Sequence, residues 1–340
     1  MAADAPALTD DEARSLIRPA LADRAGPFVL AVSGGPDSVA LMRLAAAALP
    51  AGGWVVATVD HGLRPESRRE VDAVAGWAVS LGLTHRSLTW TEGGRTTARL
   101  QERARNARYG LLCGFARELG AAAVLTAHTQ DDQAETVLMR LVAGSGIGGL
   151  AAMRAATRTA DTEIVRPFLP VPKARLLATC QDRRWPYLDD PSNADPRFGR
   201  VRARRILAAL APEGLTTARL ARLAERAERA EAALEAAAGL AFSRAVLAEQ
   251  AGRVELDLRR LLSEPEEIGL RVLRLAIERV AAPGGPFRLR RLERLATDLR
   301  AGFAVPGAGF SATLAGAHLR LRDPEHLVVT PEPPRRTGGS

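Results

Sequence analysis

Apolar runs and amphipathic stretches alternate along the first two-thirds of the chain. Phe28–Val32, Trp54–Val59 and Ala121–Ala127 are short and almost wholly apolar; His85–Trp90 is a fourth, more mixed run. Runs of this length, bounded by Gly and Pro, read as buried strands. Helical stretches lie between them at 9–24, 39–49, 66–81, 97–119 and 130–142. Thr9 or Asp10 is placed to cap the first, and Pro50-Ala51-Gly52-Gly53 stops the second. Strand alternating with helix predicts an α/β fold: a Rossmann-like parallel sheet with helices on both faces. A short edge strand is expected at 164–168, a helix at 173–183 and another opening near Arg200.

The pattern changes near residue 212. Residues 216–250 are rich in Ala, Glu and Arg, with Leu220, Leu223 and Leu234 at helical spacing. They predict one long helix packed on its neighbours, preferred to a coiled-coil dimer because the stretch is too short for clear heptads. A homodimer is left open. Helices follow at 265–281 and 288–300, and alternation over 309–330 predicts a β-hairpin. The expected division is an α/β domain at 1–211, a mainly helical domain with a small terminal hairpin at 212–332, and a disordered tail at 333–340.

Charge adds a partner class. The chain of 340 residues carries a net charge of +8, and every cation except Lys173 is arginine. Arginine excess favours a polyanion, although solvated arginine faces give the same totals. Aromatics are only 4%, which argues against a base-stacking platform for single strands. Cys113 and Cys180 stand far apart without a Cys-x-x-Cys pair, so they read as small core residues rather than a metal or disulfide framework. No apolar run reaches the roughly 18–20 residues of a membrane span. Residues 1–24 carry no signal-peptide core. A cytoplasmic protein with no membrane partner is expected.

Candidate chemistry sits where strands end. Ser33-Gly34-Gly35-Pro36-Asp37-Ser38 joins a strand to a helix. Gly34 and Gly35 let the backbone approach an anion, and Ser33, Ser38 and the helix N-terminus can donate to phosphate. No lysine stands in the loop, and Asp37 is repelled by phosphate unless a divalent cation intervenes. The loop therefore suggests a nucleotide with Mg²⁺, against the plainer reading of an ordinary connection. Asp131, Asp132 and Glu135 crowd the next strand-to-helix junction. With Asp37 they can form an oxygen-rich metal site, or they can be helix N-terminal acids that complement the dipole. His61 and His128 also follow strands. Arg105 and Arg108 share one helix, and Arg200, Arg202, Arg204 and Arg205 another; each set suits phosphate, and each suits a solvated face.

Taken together these motifs carry a resemblance. The Ser33–Ser38 loop resembles the pyrophosphate loop of N-type ATP pyrophosphatases. Within that superfamily the chain resembles the tRNA(Ile)-lysidine synthases. The matching pieces are Asp60-His61-Gly62-Leu63-Arg64, Ala104 to Tyr109, His128-Thr129-Gln130-Asp131-Asp132-Gln133-Ala134-Glu135-Thr136, Gly144-Ser145-Gly146, Arg166-Pro167 and Asp190-Pro191-Ser192-Asn193. Two departures stand out: Ala143 where a basic residue is usual, and Val201 and Ala203 inside an arginine stretch that usually reads Arg-Asn-x-Ile-Arg.

The resemblance implies an ATP-dependent carbon–nitrogen ligase. It would adenylate the wobble cytidine of tRNA(Ile) with a CAU anticodon, release pyrophosphate, and let free L-lysine displace AMP. ATP would be held by Ser33, Gly34, Gly35, Pro36, Asp37, Ser38, His61 and His128. Mg²⁺ would sit on Asp37, Asp132 and Glu135. Asp37, Arg105 and Arg108 would serve catalysis, and Arg200, Arg202, Arg204 and Arg205 would touch tRNA. The lysine ammonium would lie near Gly144–Gly149 and Asp190. A 2-thiolation enzyme of the same superfamily is the nearest alternative, but it generally needs reactive cysteines. A small-molecule synthetase needs no basic helical appendage, and a non-catalytic RNA adaptor needs no acidic cluster.

Overall fold

The computed structural model describes residues 5–48, 53–60, 62, 67–90, 100–159, 161–189, 195, 197–281, 289–305 and 309–333. Two compact units emerge: Met1–Gly144 with Gly149–Glu225, and Ser145–Gly148 with Arg226–Ser340. The composition shift lies near 212; the units divide between Glu225 and Arg226, inside a helix.

The first unit holds α1 (Asp10–Leu21), β1 (Phe28–Ala31), α2 (Pro36–Ala48), β2 (Trp54–Asp60), α3 (Ser67–Ser80), β3 (Thr84–Thr89), α4 (Leu100–Leu119), β4 (Ala123–Leu125) and α5 (Gln130–Val142). After the short α6 (Ile147–Leu150) come β5 (Ala156–Thr159), β6 (Thr162–Val165), α7 (Lys173–Asp182), α8 (Gly199–Leu210) and the start of α9 (Thr217–Ala245). The six strands lie in the order β3-β2-β1-β4-β6-β5. All pairs are parallel except β5 with β6. The β5–β6 hairpin is wider than the single edge strand expected there, because Asp161 takes a left-handed φ of 63° and turns the chain tightly.

Strand pleating sorts the core. On one face Phe28 and Leu30 of β1 pack with Trp54 and Val56 of β2, Ile17 of α1, Leu41 of α2 and Leu176 of α7. Val29, one step along β1, faces the other way with Ala57 and Val124, against Leu112 and Ala116 of α4. Helices thus cover both faces, as the continuous apolar strands require. A smaller cluster joins Val137 and Leu138 of α5 to Leu207 of α8 and Leu220 of α9. It fixes the two helices that carry the acids and the arginines.

From β1 the chain moves outward to β2 and β3, then returns past β1 to β4. The β1/β4 junction is therefore the topological switch point, where sheets of this type bind ligands beyond the strands' carboxyl ends. The Ser33 loop follows β1 and His128 follows β4.

The second unit comprises the rest of α9, β7 (Val246–Gln250), β8 (Arg253–Asp257), α10 (Leu258–Ser263), α11 (Glu266–Val280), α12 (Leu289–Ala304), β9 (Ser311–Leu314), β10 (Ala317–Asp323) and β11 (His326–Pro331). Its strands form an antiparallel sheet in the order β7-β8-β11-β10-β9. The expected terminal hairpin is therefore part of a five-stranded sheet. Helix α9 stops at Ala245, and the last residues of the expected helix form β7.

Candidate active site

The Ser33 loop closes on itself before it meets any ligand. Ser38 Oγ accepts from Ser33 N (3.1 Å) and donates to the Gly35 carbonyl (2.9 Å). Gly34 sits at φ +90°, and a Cβ there would come within 2.6 Å of Leu188 Cδ1. Leu188 N in turn donates to the Gly34 carbonyl (2.9 Å). Only glycine meets both demands. Pro36 has no N–H and Val39 N already donates to the Gly35 carbonyl (3.0 Å); the N–H groups of Asp37 and Ser38 have no intrahelical acceptor by helix geometry, so the loop and helix start form an anion cradle.

The lysine absent from the loop arrives from elsewhere. Lys173, first residue of α7, places Nζ 2.9 Å from Asp37 Oδ2. Its backbone N–H donates to Asp131 Oδ2 (2.7 Å), so Asp131 caps α7. Burial raises the Asp37 carboxyl, and Lys173 opposes that shift. Nothing near the loop in sequence pointed to Lys173; its being the single lysine was the available signal.

The remaining acids are also neutralised. Asp132 caps its own helix, accepting from Thr129 N (2.9 Å), and receives Arg200 Nη1 at 3.0 Å. Burial alone would raise its carboxyl; the Thr129 backbone N–H, Arg200 and the Thr129 hydroxyl oppose that, and the carboxyl is held low. Glu135 is 2% exposed and pairs with Arg204 Nη2 at 2.9 Å. Burial raises its carboxyl against the pull of Arg204. Arg200 and Arg204, expected to touch tRNA, thus turn to the acids, one helical turn apart. Arg202 and Arg205 are exposed on α8.

Asp37, Asp132 and Glu135 are close enough to act on one another's surroundings, since Asp132 raises both of the other carboxyls. Among the described residues, however, no three His, Cys, Asp or Glu side chains gather as a metal cage. Lys173, Arg200 and Arg204 each engage one of these acids instead. Two buried carboxylate oxygens have no hydrogen-bond partner: Asp37 Oδ1 and Glu135 Oε2. An unpartnered buried carboxylate oxygen suits a hard cation that takes its other ligands from phosphate and water. Asp37 fits Mg²⁺ in that manner, beside the anion cradle.

His128 is 8% exposed, and its Nδ1 lies 2.8 Å from Thr126 Oγ1. Burial, with help from Arg108, Arg166 and Arg105 and against Asp132, pulls its pKa down to about 3. The ring is therefore neutral at pH 7 and can both donate and accept. Arg105 and Arg108 lie over the Tyr109 ring at 5.2 and 5.4 Å. His61 and Asp190, expected at the nucleotide and the lysine, lie outside the described residues, as does most of the expected tail.

A phosphate cradle at the switch point, an acid–lysine pair beside it and a neutral histidine opposite define an ATP-binding α/β protein of the PP-loop class, and residues 9–210 match the PP-loop domain family. A tRNA(Ile)-lysidine synthase from Methylobacterium nodulans is 53% identical over 319 residues, covering 92% of this chain and 93% of that one. Another from Rhodopseudomonas palustris is 47% identical over 345 residues, covering 98% of each. The chain belongs to the tRNA(Ile)-lysidine synthase family. Among solved structures, the U34-tRNA thiolase NcsA from Methanococcus maripaludis, with its [4Fe-4S] cluster, superposes with a TM-score of 0.53 over 64% of this chain and 78% of that one. At 17% identity that likeness concerns the fold alone.

Proposed function

We propose that the chain ligates free L-lysine to C2 of the wobble cytidine of tRNA(Ile) bearing a CAU anticodon, spending ATP to do so. Full-length kinship to lysidine synthases, on a chain whose phosphate loop, Lys173 and His128 surround one switch point, supports this most directly. In the first step the cytidine C2 oxygen attacks the α-phosphorus of ATP, and pyrophosphate leaves. In the second, the lysine ε-amine, having lost its proton, attacks C2, and AMP departs with that oxygen. The chain is thus an ATP-dependent carbon–nitrogen ligase.

The Ser33–Ser38 cradle and Lys173 hold the leaving pyrophosphate. Asp37 would hold Mg²⁺ beside the phosphates, and the ion would supply charge neutralisation for that departure. Asp132 and Glu135, which pair with Arg200 and Arg204, would be its further ligands. Arg200, Arg202, Arg204 and Arg205 on α8 would meet RNA phosphates. Neutral His128 hydrogen-bonds the nucleotide, and Arg105 and Arg108 stabilise charge developing on the adenylated base. Residues 226–333 grip the tRNA body. The setting is the cytoplasm, where ATP, tRNA and free lysine meet.

A 2-thiolation enzyme is the weaker reading. Cys113 and Cys180 are both buried, and burial raises both thiols, that of Cys180 to about 11. Neither is set up as a thiolate nucleophile. The test is incorporation of labelled lysine into CAU transcripts of isoleucine and methionine tRNA with ATP. Incorporation into the isoleucine transcript alone supports the reading; ATP-dependent use of a sulfur donor instead sinks it.

A further inference from the structure

Between α4 and the β5–β6 hairpin lies a cleft of about 420 Å³. Arg105, Asn106, Tyr109 and Gly110 line it from the helix, and Ile164 and Arg166 from β6 and its end. Arg166 directly follows β6, which runs parallel to β4. The Arg166 end of the cleft therefore lies at the strand ends where His128 follows β4, while Thr159, paired with Thr162 at the start of β6, lines the other end.

Arg166 is 6% exposed. Its Nη1 donates to the Arg154 carbonyl (2.8 Å) and to Thr157 Oγ1 (3.0 Å), which fixes the guanidinium. Its Nε is buried outside hydrogen-bond reach of any acceptor, and the buried Tyr109 hydroxyl faces this guanidinium: Arg108, Arg105 and Arg166 pull the phenol's pKa down against burial. None of the described lining residues is acidic. Arg105 is held below its ordinary pKa, first by burial and further by repulsion from Arg200, Arg108 and Arg166. One buried and one half-buried guanidinium that repel each other across a cleft lined by no carboxylate call for an anion. A free amino acid fits poorly, because its ammonium groups find no carboxylate there. The volume falls in the range of about 300–1,000 Å³ usual for ligand sites, so it has room for more than a lone oxyanion. A Cβ on Gly110 would meet nothing within 4 Å, so the helix surface leaves that room open.

We propose that this cleft receives a backbone phosphate of the RNA next to the modified nucleotide, and that Arg166 is its anchor. This rests on the function proposed above. Arg166 then acts as a positioning residue: it sets where the cytidine C2 oxygen stands relative to ATP.

The test uses the full chain and tRNA assembled with a neutral methylphosphonate at the linkage on either side of the target cytidine. In the wild type, one of the two neutral linkages is expected to lower kcat/KM for RNA about tenfold or more, the scale of a lost charge-assisted hydrogen bond. In Arg166→Gln the normal RNA suffers a similar loss, and the neutral linkage costs nothing further. Gly110→Leu fills the cleft without touching the Arg166 hydrogen bonds, and leucine is a better helix former than glycine. It should erase the same sensitivity with an unchanged or higher Tm, so the proposal does not hang on a variant that fails to fold. Equal methylphosphonate penalties in wild type and Gly110→Leu overturn the phosphate site. A raised KM for lysine in Arg166→Gln, with loss of discrimination against lysinamide, overturns it in favour of the amino-acid carboxylate. Wild-type protein that makes no lysidine at all overturns the proposed function instead.

Discussion

Asp37 bears two opposed demands: its Oδ2 is paired with Lys173 while its buried Oδ1 has no partner. Asp37→Asn removes the negative charge with little change of shape. Lysidine formation should fall by at least about a thousandfold, the scale of losing a preorganised charge at a reacting phosphate. Filter binding should show tRNA affinity nearly unchanged; a collapse of RNA binding would contradict the division of labour between the units. His128 gives a pH prediction. The folded ring takes its proton only near pH 3, the unfolded one near 6.5. Between those values the unfolded chain binds more protons, so stability falls on acidification, by up to about 1.4 kcal/mol per pH unit from this group. Urea unfolding of His128→Gln at pH 6.5 and 5 should show a shallower loss than the wild type. Parallel losses would mean that His128 is charged in the fold.

At the scale of elements, the Gly34 turn tests whether the loop is held in one shape. Gly34→Ala forces a side chain onto φ +90° and into Leu188. Left-handed strain alone costs about 1–2 kcal/mol, and the loop must shift to relieve the clash. The KM for ATP should rise severalfold with a lower Tm; an unchanged KM would show that the cradle tolerates the shift. The alternation of strands and helices was legible because β1, β2 and β4 are buried on both faces and therefore almost wholly apolar. β5 and β7 were not: both are exposed edge strands, β5 reads Ala156-Thr157-Arg158-Thr159 with no apolar run, and β7 follows α9 at Ala245 without a break. The candidate site was legible where chemistry is local: the Ser33 loop and the Asp131–Glu135 turn announce themselves. Lys173 was hidden because its partner Asp37 lies far back in sequence, and only the packing of α7 on α2 brings the two together. The pairing of Arg200 and Arg204 with the acids was hidden for the same reason: it depends on α8 docking on α5.

For the molecule as a whole, the basic composition and the second unit bear on RNA. The core of that unit holds a buried ion network: Arg271 pairs with Glu231 (2.7 Å), Glu235 (2.7 Å) and Glu267 (2.8 Å), and Arg274 also pairs with Glu235. Arg271→Met leaves Glu231 buried and unpaired, which should cost about 3–5 kcal/mol. Urea unfolding should show that loss, and tRNA affinity should fall while ATP affinity holds. Full RNA affinity in a chain so destabilised would place the RNA grip elsewhere. The central claim is that ATP is spent on the C2 oxygen of an RNA base before lysine arrives. The most direct measurement is the fate of that oxygen, followed with tRNA carrying ¹⁸O at C2 of the target cytidine. Mass spectrometry of the released AMP should find the label in its phosphate, in proportion to the lysidine formed. Unlabelled AMP alongside lysidine would mean that ATP activates something other than the base.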